Sequence, residues 1–311
     1  VLLIDKPAGI TSHDVVDAVR RHILPMKVGH TGTLDPFATG LLPLCIGRAT
    51  RLSRFLSMED KNYEGVIELG TRTTTYDREG EVLARSEVPA NWPESVSKIL
   101  NRIQGTIRLI PPPFSAKKVM GRPLYEFARA DIHIKRKPVE TRIYQMEALD
   151  FGEREFRFRA EVSAGTYLRS LADSLGMEVG CGAHLKELRR TACGSLSLDE
   201  ATGLEDFLIQ MQSDPPTARK RVIPMREIPL GMHTLVVNAE GRSAIMHGRR
   251  FGPGGLSRTA DLQQGAFCRV EDRTGELLAI AETVPLPGHR PRSLWKPILV
   301  FPLANRAARA L

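Results

Sequence analysis

The 311-residue chain carries only four cysteines, Cys45, Cys181, Cys193 and Cys268, and no two of them form a C-x-x-C pair. That spacing implies neither a disulfide framework nor a zinc ribbon, and the compartment it fits is a reducing cytoplasm. Cys181-Gly182-Ala183-His184 with Cys193 offers three metal-ligand types, but a second ligand pair is lacking and the segment reads as a turn into a helix, so no metal is expected. An apolar run of signal-peptide or membrane-spanning length is lacking too, because Val1-Leu2-Leu3-Ile4 leads straight into Asp5-Lys6-Pro7. No membrane association is expected. The sequence shows no internal repeat and no low-complexity tract. An initiator methionine is missing, which points to a trimmed start.

What is present is enough chain for a large core and for two domains. The formal net charge is +8, from 44 Lys and Arg against 36 Asp and Glu. From Gly231 to Leu311 there are 11 basic and 6 acidic residues, so this end is the more basic per residue. The asymmetry fits a module that touches nucleic-acid phosphates, and it also fits a solvated basic surface.

The most informative stretch is Gly29-His30-Thr31-Gly32-Thr33-Leu34-Asp35-Pro36. Glycines at 29 and 32 allow a sharp turn or a close approach to a ligand. Asp35-Pro36 ahead of Phe37, Ala38, Leu41 and Leu42 reads as an N-cap and first residue of a helix. The same carboxylate, kept ionised by a helix dipole and backbone N–H groups, suits a nucleophile if one oxygen stays free. The residues alone leave both readings open.

Elsewhere the periodicity predicts a helix over Thr11 to Ile23, a strand over Tyr63 to Leu69, and a polar turn at Thr73, Thr75, Asp77 and Gly80. A helix is predicted over Pro93 to Ile103, and a half-buried strand through Phe156, Phe158, Ala160 and Val162. That strand leads into a helix whose first turn holds Arg169. A further helix is predicted over His184 to Arg190. The prolines and the Arg219-Lys220-Arg221 cluster between Ser213 and Pro229 mark a linker or boundary, placing the domains at 1–229 and 230–311. The second carries strand signals at Thr234 to Val237, Phe267 to Val270, Leu277 to Ala281 and Ile298 to Phe301, with a short helix near Ala239 to Met246, which suggests a small barrel. The larger part interleaves strands and helices and is α/β or α+β.

Seven stretches, in order and in spacing, resemble the TruB-type tRNA pseudouridine synthases. They are Asp5-Lys6-Pro7 through Thr11-Ser12, Gly29 to Gly40, Lys61-Asn62-Tyr63, Thr73 to Gly80, Pro112 to Lys117 with Tyr125-Glu126, Gly165 to Arg169, and Cys181 to Arg190. The end of the chain, Trp295-Lys296-Pro297-Ile298-Leu299-Val300-Phe301, is similar to the PUA-type RNA-binding domain. The resemblance implies a mixed-sheet catalytic domain, a tRNA T-arm substrate, and isomerisation of a T-loop uridine (position 55) to pseudouridine. It implies no cofactor, no obligatory protein partner, and a monomer.

By the same resemblance Asp35 is the catalytic carboxylate, which captures C1′ or removes a ribose proton. Arg169 pairs with it, and Tyr63 stacks on the uracil and assists proton loss from C5. His30 fills the space left by the flipped base. Tyr167 is a candidate for the pocket wall, and Lys6 and Asp77 support the pocket. Without the resemblance, Arg169 would bond some other carboxylate, Tyr63 and Tyr167 would pack a core, and His30 would serve a turn. Phe114 stands where the family commonly has tyrosine, and Gly194-Ser195-Leu196 lacks an aromatic residue often found there. Two other classes use similar features. An RNA-binding folding assistant needs no carboxylate beside the RNA, and a glycosidase or nucleoside hydrolase wants a second acid that the sequence does not display.

Overall fold

The structure is a computed structural model that describes all residues except 116, 120, 131, 133, 258–261, 286–292 and 303–311. Ten strands form one mixed sheet: β1 (Leu2–Lys6), β2 (Val28–His30), β3 (Thr39–Ile46), β4 (Lys61–Leu69), β5 (Gly105–Leu109), β6 (Val139–Phe151), β7 (Glu155–Val162), β8 (Ala183–Cys193), β9 (Leu196–Ser197) and β10 (Thr202–Gly203). Along the sheet the order is β10-β1-β3-β8-β4-β7-β6-β5, with β2 paired to β3 and β9 to β8. A second sheet of four strands follows, in the order β11 (His233–Val236), β12 (Phe267–Glu271), β13 (Leu277–Pro285) and β14 (Ser293–Val300). The α/β reading is correct for the first part, and the four strands and the helix Ala239–Met246 occur where the sequence signals them. The last nine residues of the 230–311 segment lie outside the described residues.

The helix Ser12–His22 starts at a full capping box between Thr11 and Asp14 and buries Val15, Val16 and Val19 against the sheet. The helix Trp92–Arg102 buries Trp92, Val96, Ile99 and Leu100. Strand β7 alternates buried Phe156, Phe158, Ala160 and Val162 with exposed or half-buried charges.

Two expected helices are strands. Asp35 caps no helix: after a turn at Pro36–Phe37 the chain extends into β3, where Gly40 through Cys45 are all buried between β1 and β8. Short apolar runs buried on both faces carry no period that separates strand from helix, and Pro43 would break a helix. Residues 184–190 extend as β8, pairing along nearly its whole length with β4. Two register shifts there, at Leu185/Glu187 and Arg190/Ala192, disturb the alternation and mimic a helical spacing. The Ser213–Pro229 stretch is ordered, with a helix at Pro215–Lys220. At the end of that stretch, Ile228 and Leu230 are buried in a core that joins Leu3, Leu41, Leu52 and Phe55 of the first part to Leu277, Ile280, Leu299 and Phe301 of the second. No helix among the described residues is long and apolar enough to cross a membrane.

Candidate active site

The turn that carries Asp35 is pinned on every side by groups the sequence places far away. Ser12 Oγ accepts from Leu34 N at 2.8 Å and donates to Leu34 O at 3.0 Å. Lys6, fully buried, donates from Nζ to Pro36 O at 3.2 Å, and Gly9 N donates to the same oxygen at 2.9 Å. Arg190 donates from Nε to Leu41 O at 2.7 Å and from Nη2 to Gly32 O at 3.0 Å. Neither Gly29 nor Gly32 has positive φ; the glycine that the geometry demands is Gly40, with φ +99° and Arg190 O 2.3 Å from where a Cβ would stand.

Arg169, 5% exposed in the first turn of the helix Leu168–Val179, gathers this turn and two others. Its Nη2 donates to Asp35 Oδ1 at 2.7 Å and to Phe114 O at 2.8 Å, while Nη1 donates to Thr75 O at 3.1 Å and lies 3.3 Å from Asp77 Oδ2. Phe114 therefore contributes a carbonyl, which the change from tyrosine leaves intact. Asp77 is buried and holds the turn through Thr75 Oγ1 and Glu79 N.

A cavity of about 1140 Å³ opens over these groups. Asp35, Tyr63, Arg169, His30 and Tyr167 all line it. Lys6 and Asp77 do not; they lie behind the wall, against Pro36 and Arg169. Lys61 and Arg190 also line the cavity and were not singled out from the sequence, although each sits inside a matching stretch. Their signal was a cation beside or within an apolar strand, where burial needs a partner. Among the described residues the cavity lining contains one carboxylate, Asp35, against Lys61, Lys117, Arg129, Arg169 and Arg190.

Burial raises the Asp35 pKa above the ordinary carboxylate value, opposed by Arg169 and reinforced by the charge of Asp77. Its side chain nevertheless keeps 30% of its surface, and no hydrogen bond reaches Oδ2 among the described residues. The carboxylate thus has one oxygen clamped and one free. Burial lowers the Lys6 pKa to about 8, with Asp35 partly restoring it. Burial also raises the Tyr63 pKa, opposed by the adjacent Arg190, so the phenol stays protonated. His30 is pushed down by burial and then by Arg190 and His13, which keeps the ring neutral. His184 faces Thr71 O through Nδ1, the four cysteines are free, and no metal-ligating cluster occurs among the described residues.

The model of the N-terminal domain of the TruB family pseudouridylate synthases matches residues 20–168, and that of the tRNA pseudouridylate synthase B C-terminal domain matches 169–228. A tRNA pseudouridine synthase B from Solibacter usitatus (strain Ellin6076) is 40% identical over 302 residues, 97% of this chain and 99% of that protein. The chain belongs to the TruB family of pseudouridylate synthases. Another TruB-family relative, the tRNA pseudouridine synthase B of Aquifex aeolicus (strain VF5), is 41% identical over 80% of this chain and 85% of its own length. The TruB fold is also seen in a chain of an H/ACA RNP bound to a substrate RNA containing 2′-deoxyuridine. It has a TM-score of 0.74 and 24% identity, and the match covers 96% of this chain and 84% of that one.

Proposed function

We propose that this chain isomerises a uridine of the tRNA T-loop, position 55, to pseudouridine, with Asp35 as the catalytic carboxylate. The observation that carries the reading is a half-free carboxylate, the one carboxylate among the described residues of the lining, in a cavity where every other charged lining side chain is a lysine or arginine. The cations suit a phosphate-bearing substrate. The carboxylate suits the positive charge that builds at C1′ as the glycosidic bond breaks. Hydrolysis would want a second acid to protonate the departing base. Among the described residues of the lining no second carboxyl offers this, and Asp77 pairs with Arg169 outside that lining, which favours rejoining through C5 over hydrolysis.

In this reading Arg169 holds Asp35 ionised and oriented, and the protonated Tyr63 gives a stacking face and a hydroxyl near C5. His30, neutral, takes the place of the extruded base without carrying a charge into the stack. Tyr167 forms part of the wall; Lys6 and Asp77 act through Pro36, Asp35 and Arg169 and are positioning residues. The reaction is an isomerisation and draws on no cofactor. The chain works as a monomer without an obligatory protein partner, in the cytoplasm, with residues 1–229 as catalytic domain and 230–311 as a PUA-type RNA-binding domain. A folding assistant that only binds RNA has no use for Asp35 and its clamp.

The test is tritium release from C5-labelled uridine in a T-arm stem-loop, comparing the unmodified chain with Asp35→Asn. Release by the first alone, with RNA binding kept by both, supports the reading; equal release by both removes Asp35 from the chemistry. Deuterium at C2′ separates the two routes, because only removal of the ribose proton carries a primary isotope effect.

A further inference from the structure

Beside the cavity the chain winds as a 3₁₀ helix over Gly47–Leu52 and continues directly into the helix Ser53–Ser57. Arg48, Arg51 and Arg54 recur there at every third position, and all three are exposed. Arg48 and Arg51, both within the 3₁₀ helix, eclipse with about 6 Å of rise between them, and Arg54 follows three positions on in the α-helix. Among the described residues none of the three has a carboxylate partner. They are nonetheless held in place. The guanidinium carbons of Arg48 and Arg51 stand 5.9 and 5.2 Å from the centre of the Phe301 ring, and that of Arg54 stands 4.5 Å from the Phe55 ring. Arg51 Nη1 also donates to Val300 O at 2.6 Å. A guanidinium over a ring keeps N–H groups that can still donate to an anion.

The placement of the row gives it a direction. At one end Ser57 lines the cavity. Towards the other, Arg48 and Arg51 rest on Phe301, which follows β14 of the second sheet. A row of three exposed cations with no carboxylate partner among the described residues matches a polyanion better than a single small anion. We infer that Arg48, Arg51 and Arg54 form a track for the phosphate backbone of the RNA strand that leaves the cavity, carrying it towards the four-stranded sheet. The inference rests on the pseudouridine reading for its RNA, but its test does not pass through catalysis. The competing role is structural, since the same side chains cover the seam between the two sheets.

The experiment measures binding of a T-arm stem-loop RNA to the full chain across a salt series. With Arg48→Gln, Arg51→Gln and Arg54→Gln combined, affinity at low salt falls at least tenfold. The log–log salt slope becomes shallower by about 2, because each lost phosphate contact removes about 0.7 to 0.9. Replacing all three by lysine keeps the slope while losing the stacking. Arg54→Gln alone, which leaves both arginine contacts to Phe301 in place, shallows the slope by up to about 1. An unchanged slope in the glutamine variants, with or without a lower melting temperature, assigns the row to the seam and overturns the track. Absence of tritium release by the unmodified chain sinks the catalytic reading instead, and the salt slope still decides the row.

Discussion

In the proposed reaction Asp35 acts as an anion, yet the pocket around it raises its pKa. The sign of the linkage follows. Because the folded-state pKa lies above the unfolded value, the folded chain is favoured by protonation, a contribution present at acid pH and lost as pH rises through the folded pKa. At neutral pH the charged Asp35 therefore costs stability, while Arg169 keeps a carboxylate partner in Asp77 if Asp35 is neutralised. Asp35→Asn is expected to slow the reaction by at least about 1000-fold and to leave the melting temperature at pH 7 equal or higher. That difference in melting temperature should shrink as pH falls towards 4. A clear drop in stability at pH 7 would mean that the ion pair outweighs desolvation. Lys6 tests the same field from behind: its charge favours the ionised Asp35, so Lys6→Met should move the acid limb of kcat/KM to higher pH. An unmoved limb would reduce Lys6 to packing. That Asp35, Tyr63 and Arg169 share one cavity, with Arg169 paired to Asp35, was legible from the resemblance because each lies within a short motif. Arg190 was not, because what makes it matter is contact with two backbone carbonyls, at Leu41 and Gly32, that are about 150 residues away in sequence.

Elements with a clean period were readable, and elements buried on both faces were not. The helices at Ser12–His22 and Trp92–Arg102 show one apolar face each, and β7 alternates. By contrast β3 is apolar on both sides, so its Leu41-Leu42 pair looked helical, and β8 hides its alternation behind two bulges. The consequence for the site is that Asp35 is positioned by a turn between strands and not by a helix dipole. What makes that turn possible is Gly40, where β3 passes against the backbone of Arg190 on β8. Gly40→Ala places a Cβ against the Arg190 carbonyl at a φ that disfavours side chains, and it is expected to cost more than about 2 kcal/mol. It should also displace the guanidinium that steadies Gly32, so activity falls further than stability alone explains. Gly29→Ala, with open space around it and no positive φ, is expected to be neutral within about 0.5 kcal/mol. Chemical denaturation of both variants checks the pair, and equal effects would refute the assignment of the critical glycine.

On the scale of the whole molecule, the sequence marks a boundary near Leu230 by its prolines and charge, but the structure runs a core straight across it. Leu3, Leu41, Leu52 and Phe55 meet Ile228, Leu230, Leu277, Leu299 and Phe301, so burying either group requires the other. Arg269 reinforces the seam by donating to Ile228 O at 2.8 Å and Arg226 O at 2.7 Å. Local periodicity carries no information about such long-range packing. A chain of two independent domains would unfold in two steps and survive separation. A chain with this shared core is expected to unfold in one transition, with the second sheet unable to melt while the first part stays intact. Phe301→Ala isolates the effect, because the ring is fully buried and also supports Arg48 and Arg51. It should cost about 3 kcal/mol and lower the midpoint of the single transition, with the near-ultraviolet signal of Trp295 in the second sheet and Trp92 in the first part moving together. If only part of the transition shifts and a second step appears, the two parts fold independently. In that case truncation after Leu230 would leave a stable catalytic unit, whereas the shared core predicts one that aggregates through exposed Leu3, Leu52 and Phe55.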